Sequence, residues 1–348
     1  MKNIGLVTIS LFLSLLIGLA LARDSGSADD KSAANGPLVI GLSLDTLKEA
    51  RWQKDRDLFV ARANELGVEV KVQSANSDDT RQIKDVQSLI AGGIDVLVIV
   101  PHNGEAMSKA VELAHEDGIP VIAYDRLITS CDLDLYITFD NEKVGEIQGN
   151  FLIDNLPDEA TSKIIRIYGA PTDNNAKLFK AGQDRAIKPA IESGRVVVVH
   201  EDWADNWEPQ RAKKIMNAAI SKNGQDFAAV LASNDGTAGG AVQALLEEDL
   251  AGKVLVTGQD ADLVAVQRIL AETQSMTIYK PIKTIATKAA ELAIDLANGK
   301  PVIAKHEIAN GFKSVPSVLL GVTVVTRDNI EETVVADGFH SKAELGMQ

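Results

Sequence analysis

The sequence predicts a doubly wound α/β protein of two parallel-sheet lobes, and three observations carry the prediction. Short β-branched runs alternate with longer segments of helical period. The runs are continuously apolar, as strands covered by helices on both faces must be. There are ten of them, more than one open sheet comfortably holds, and polar Asp140-Asn141-Glu142 breaks the series near its middle.

In order, the runs are Leu38–Asp45, Val68–Asn76, Ile94–Pro101, Ile119–Asp125, Leu135–Asp140, Ile164–Ala170, Val196–Glu201, Ala228–Asp235, Val254–Asp260 and Met276–Pro281. Helical periodicity fills Arg51–Leu66, Thr80–Ala91, Asn103–Asp117, Asn175–Ser193, Pro209–Ser221, Gly236–Glu248 and Ile282–Ala297. A tail from Gly311 to Gln348 adds the strand-like Ser317–Val325 and a polar end. It leaves room for a further crossing between lobes.

The chain has 348 residues, 45% of them hydrophobic, enough for two cores when domains run to about 100–200 residues. It opens Met-Lys-Asn, continues apolar from Ile4 to Leu21, and places Ala20 and Ala22 two apart before Arg23 and Asp24. A basic start, an apolar middle and an A-x-A end make an export signal, so residues 1–22 are expected to be removed. The competing reading is a membrane anchor, since about 18 apolar residues just span a bilayer. No Cys follows the run to take a lipid. Residues 23–37 are small and polar without apolar period and read as a flexible leader. Cys131 is the single cysteine, so no internal disulfide can form. A net charge of −14 repels nucleic acid, and no basic patch offsets it.

Ligands of open parallel sheets bind beyond the carboxyl ends of the strands. Here those ends are polar: Asp45, Asn76, Pro101-His102-Asn103, Asp125-Arg126, Asp140-Asn141, Asn234-Asp235 and Gln259-Asp260. Asp and Asn also end strands as helix caps, and for any one of them alone that is the stronger reading. Asp125 differs because Arg126 follows at once and no strong helix begins there. A carboxylate beside a five-donor guanidinium suits neighbouring hydroxyls that both donate and accept. Trp52, Trp203 and Trp207 stand out in a chain with 4% aromatics. Indole can stack on the C–H face of a sugar ring. Trp52 follows Arg51, and Trp207 lies in a loop too polar to be core, so context moves both toward a ligand.

Catalytic patterns are missing. Neither G-x-G-x-x-G after the first strand nor a P-loop lysine is present, there is no G-x-S-x-G elbow, and the five His show no i,i+4 pair for zinc. No cofactor or metal is implied, and an enzyme is not expected.

Eight blocks in order, Ala50–Asp57, Val72–Asn76, Ala123–Arg126, Phe139–Gly145, Asp173–Phe179, Ala232–Asp235, Gly258–Asp262 and Met276–Pro281, resemble the periplasmic sugar-binding proteins of the ribose and galactose type, and within them the xylose branch. The resemblance runs from about Leu38 to the C-terminus. It implies two doubly wound lobes joined by three crossings near Asp140–Lys143, Lys280–Lys283 and Asn310–Lys313. The first lobe is then 38–142 plus 282–311 and the second 143–281 plus 312–348. It further implies a periplasmic monomer that binds a monosaccharide, D-xylose, and delivers it to membrane ABC permease subunits. The implied contacts are Arg51, Asp125 and Arg126 from the first lobe, with Trp52 as a wall, and Asp173, Asn175, Trp207, Asn234, Asp260 and Lys280 from the second. Of these, Asp173, Asn175 and Lys280 come from the resemblance alone.

Two alternatives remain. Ribose or another sugar could be the ligand, or the closed protein could feed a signalling protein. A sugar-responsive repressor shares this fold but would begin with a basic helix-turn-helix, where this chain begins with an apolar run.

Overall fold

The computed structural model describes residues 36–157 and 160–348. The export signal expected at 1–22, and all of the leader except its last two residues, lie outside the described residues. From Val39 onward the chain runs β1 (Val39–Leu44), α1 (Ala50–Glu65), β2 (Glu69–Ser74), α2 (Asp79–Ala91), β3 (Val96–Val100), α3 (Ser108–Glu116), β4 (Val121–Tyr124), β5 (Leu135–Phe139), α4 (Asn141–Asn155) and β6 (Ser162–Tyr168). It continues α5 (Asn174–Glu192), β7 (Val196–Trp203), α6 (Pro209–Asn223), β8 (Ala229–Ala232), α7 (Asp235–Glu247), β9 (Leu255–Val256), α8 (Leu263–Leu270) and β10 (Thr277–Tyr279). The last elements are α9 (Ile282–Ala297), β11 (His306–Ala309), β12 (Ser314–Leu320), β13 (Thr323–Val325) and α10 (Lys342–Leu345).

Among the described residues the strands form a seven-stranded sheet in the order β11-β12-β5-β4-β3-β1-β2, a four-stranded sheet β7-β6-β8-β9, and a ribbon β10-β13. Pairing is parallel except for β11 against β12 and β10 against β13. The continuous apolar character of the runs follows from helices on both faces: every residue of β3 and of β5 is buried. One core fills the first sheet around Leu97, Ile99, Val111 and Tyr136. Another fills the second around Ile165, Ile167, Met216 and Val230.

The chain leaves the first sheet after β5 and returns after β10 with α9, which packs on α1 and β3. The third crossing corrects the sequence reading. Asn310–Lys313 is a hairpin turn between β11 and β12, closed by Asn310 N–H donating to Lys313 O at 3.0 Å, with Gly311 at φ +90. The Asn310 side chain anchors it to Cys131 O at 2.8 Å. The apolar run Ser317–Val325 is therefore two strands: Ser317 pairs with Tyr136 in the first sheet, whereas Val325 pairs with Thr277 in the ribbon. The passage falls at Gly321–Val322, so the first lobe extends to Leu320 instead of stopping at 311. Periodicity could not show this, because a strand handed between sheets stays apolar throughout. β11 was missed because its His-Glu-Ile-Ala sequence is that of an exposed edge. The helix expected from Asn103 begins at Ser108; Asn103 Oδ1 accepts instead from Glu105 and Ala106 N–H and makes a turn.

The polar break at 140–142 is a cap and a first turn: Asp140 accepts from Lys143 N–H at 3.0 Å and starts α4. Two glycines let α4 and α5 touch backbone to backbone. A Cβ at Gly145 would sit 2.0 Å from Phe179 O, and one at Gly182 would sit 2.0 Å from Glu142 O. Neither neighbour is a side chain that can swing away. Gly145→Ala should therefore destabilise the fold by about 2–3 kcal/mol through overpacking, read as a lower urea midpoint.

Candidate functional site

The carboxyl ends of both sheets face one cleft. All ten residues singled out from the sequence line it: Arg51, Trp52, Asp125, Arg126, Asp173, Asn175, Trp207, Asn234, Asp260 and Lys280. Glu49, Phe179, Pro209, Gly236, Gln259 and Asp262 line it as well. Gln259 stood in a polar strand end and Asp262 in a quoted block, but neither was chosen. Glu49, in the polar stretch before Arg51, gave no signal.

Arg51 is the centre of the first lobe's contribution. Its guanidinium bonds Asp125 Oδ2, Asp55 Oδ2 at 3.2 Å and, across the cleft, Asp260 Oδ1 at 3.2 Å. It lies 4.3 Å from the Trp52 ring centre, and the Arg126 guanidinium lies 5.1 Å from the same ring. Trp52 thus holds two cations in place as well as forming a wall. Lys280, 2% exposed at the end of β10, reaches Asp260 Oδ1 at 2.8 Å.

Asp125 and Asp260 occupy matching places, each just beyond a strand of its own sheet. Asp125 N–H donates to Ile137 O and Asp260 N–H to Ile278 O, both at 2.8 Å. Both have left-handed backbones, φ 63 and φ 99, conformations that cost a non-glycine residue of order 1–2 kcal/mol. Neither caps a helix. Asp173 and Asn234 do: Asp173 accepts from Asn175 N–H at 2.8 Å, and Asn234 forms a capping box with Thr237. For these two the cap and cleft readings hold together.

A second chain of contacts starts at the back of the first lobe. His102 Nδ1 lies 3.0 Å from Asp45 Oδ1, an ion-pair contact outside good hydrogen-bond alignment. Asp45 Oδ2 meets Arg126 Nη1 at 2.7 Å, and Arg126 Nε meets Asp173 Oδ2 at 2.9 Å across the cleft. Trp207 Nε1 donates to that same oxygen at 3.1 Å. The Trp207 ring fits because Gly169 has no Cβ, which would lie 2.0 Å from it. Trp207 also packs edge-on to Phe179. Trp203 is elsewhere, tilted on Tyr168 at 4.8 Å.

Asn175 Nδ2 donates to Asp125 O at 2.9 Å, and its Oδ1 accepts from Asn141 at 3.0 Å. In the second lobe, buried Asp235 fixes the loop carrying Asp260: its Oδ1 accepts from Gln274 and Thr277, its Oδ2 from Asp262 N–H at 2.9 Å.

Charges follow burial and partners. Burial opposes ionisation of Asp125, yet Arg51 and Lys280 hold its carboxyl below the usual range. At Asp173 burial wins over Arg126 and the pKa goes up. Burial lifts Asp55 to about 6 despite Arg51, and burial with Asp260 nearby lifts Asp262 to about 6. At Asp45 burial is overcome by His102 and Arg126, which bring it to about 2. His102 is raised above its ordinary 6.5, chiefly by Asp45. Its stabilising contribution is thus complete below pH of about 6.5 and is lost as pH rises through the folded-state value. His102→Gln should accordingly cost more unfolding free energy at pH of about 6 than at about 8.5, measured by urea unfolding at both.

A model of the "periplasmic binding protein domain" matches residues 40–301. The chain belongs to the periplasmic binding protein family. The D-xylose-binding periplasmic protein of Escherichia coli K12 is 49% identical to it, covering 97% of this chain and 99% of that protein. The Haemophilus influenzae protein of the same name is 48% identical over 96% and 98%. Among solved structures, a carbohydrate transporter solute-binding protein from Chloroflexus aurantiacus in complex with D-glucose matches with a TM-score of 0.84 and 31% identity, covering 89% of this chain and 98% of that one. By their names the first two bind D-xylose and the third is the solute-binding protein of a carbohydrate transporter. Among the described residues no helix is long and apolar enough to cross a membrane.

Proposed function

We propose that this periplasmic binding protein holds D-xylose in the cleft between its two sheets and delivers it to the membrane subunits of an ABC permease. The observation that carries the reading is the convergence of Arg51, Asp125, Arg126, Asp173, Asn175, Asn234, Asp260 and Lys280 on one cavity walled by Trp52 and Trp207. A pentose offers few apolar atoms, so each buried hydroxyl needs a partner, and stranded partners cost about 1–3 kcal/mol each. The cleft supplies partners already fixed by one another. Asp125 and Asp260 bond cations and retain further lone pairs for hydroxyl donors. The high identity to proteins named for D-xylose supports the choice among sugars.

Sugar contacts from both lobes favour the closed arrangement, and the closed face is what a permease reads. Arg51 with Trp52 limits the space near one sugar carbon and so selects against hexoses. The mature protein is a monomer that begins after cleavage near Ala22.

Five lining carboxylates (Glu49, Asp125, Asp173, Asp260, Asp262) face three cations (Arg51, Arg126, Lys280), an excess that repels anionic sugars. A thermal-shift panel on the mature chain tests this reading. D-xylose should raise the melting temperature most, ribose and glucose less, and glucuronate not at all. A larger shift with ribose or glucose would overturn the choice of xylose.

A further inference from the structure

Glu49 and Gln259 have no part in the networks above, although both line the cleft. Glu49 precedes α1 and makes no side-chain cap bond. Gln259, at 2% exposure, donates from Nε2 to Ser233 O at 3.3 Å. Among the described residues, the buried side-chain atoms without a hydrogen-bond partner include Glu49 Oε2 and Gln259 Oε1. None of the ten residues read from the sequence has such an atom. These two acceptors come from opposite lobes and line the same cavity, and neither oxygen has a donor in the chain.

Leaving a buried acceptor unpaired is unfavourable by about the value of the lost bond, so an orphan that lines a binding cavity points to a donor brought by the ligand. Two of the lining cations are engaged elsewhere: the guanidinium of Arg51 is shared by three carboxylates, and Lys280 is on Asp260. Burial raises the Glu49 carboxyl above the ordinary glutamate value, against the opposing pull of its own backbone N–H and of Arg126. Such a group is a strong acceptor for a neutral hydroxyl and a poor site for an anion.

We propose that Glu49 and Gln259 are further specificity-determining residues, a pair of acceptors that close on sugar hydroxyl donors from opposite lobes. The inference rests on the pentose reading and adds to it a requirement for free hydroxyls at the Glu49 end of the cleft.

The test is a chemical cycle. Calorimetric titrations of the wild type, Glu49→Ala and Gln259→Leu are run with D-xylose and with each monodeoxy-D-xylose. Glu49→Ala, at a partly exposed helix start, should keep the wild-type melting temperature and bind D-xylose about tenfold more weakly, which corresponds to about 1.4 kcal/mol. One monodeoxy sugar should lose affinity in the wild type but bind Glu49→Ala no worse than D-xylose does. Gln259→Leu should show the same pattern at the same or a neighbouring carbon. If it does not fold, the Glu49 arm decides alone. Variants that bind D-xylose within twofold of wild type, or deoxy penalties equal in wild type and variants, overturn the proposal. A wild type that binds no pentose overturns the pentose reading itself, a separate outcome visible in the first titration.

Discussion

Arg51→Met should abolish measurable sugar binding and lower the unfolding free energy by about 3–5 kcal/mol. Methionine fills similar volume, so the effect isolates charge and hydrogen bonding from packing. Without the guanidinium, Asp55, Asp125 and Asp260 lose their shared partner, and Asp55 and Asp125 are both buried. Burial already raises Asp55 to about 6 with Arg51 present, so the variant should take up protons and be less destabilised at pH of about 5 than at about 8. Trp52 also loses the cation stacked at 4.3 Å. Urea unfolding at the two pH values reads the stability, and intrinsic tryptophan fluorescence reads the binding. A variant that binds D-xylose normally would remove Arg51 from the site.

Asp260→Ala should weaken sugar binding at least tenfold while the fold survives. The carboxylate gathers Arg51 from the first lobe and Lys280 beside the second crossing, so its loss leaves two cations facing one another across the cleft. The backbone at φ 99 adds a second effect, because alanine tolerates that conformation poorly. Asp260→Gly separates the two: it relieves the strain and still lacks the carboxylate. Both variants should lose the same affinity, with the glycine variant melting higher. Retained binding together with a collapse of melting temperature in both would make Asp260 a structural residue only.

The alternation of runs and helices was legible because burial on both faces leaves a strong compositional trace, and nearly every run lies on a strand. The third crossing was not, since Ser317–Val325 stays apolar while passing from one sheet to another. In the cleft, polar strand ends pointed to Asp125, Arg126, Asn234 and Asp260, and a polar loop pointed to Trp207. Asp173 and Asn175 open α5, where a cap is the ordinary reading of such residues. Lys280 follows a three-residue strand that gives it no distinctive context. What sets Asp125 and Asp260 apart from a capping Asp is the left-handed backbone each adopts, a property of tertiary structure. Glu49 and Gln259 were hidden for the same reason: an unpaired acceptor is defined by what surrounds it.

Calorimetric titration of the mature wild-type protein with D-xylose and D-glucose in parallel decides whether the cleft is built for a pentose. One site per chain is expected, with D-xylose bound at least tenfold more tightly, because the wall of Arg51 and Trp52 meets the extra hydroxymethyl carbon of the hexose. Equal affinity for the two sugars, or tighter binding of glucose, would contradict it.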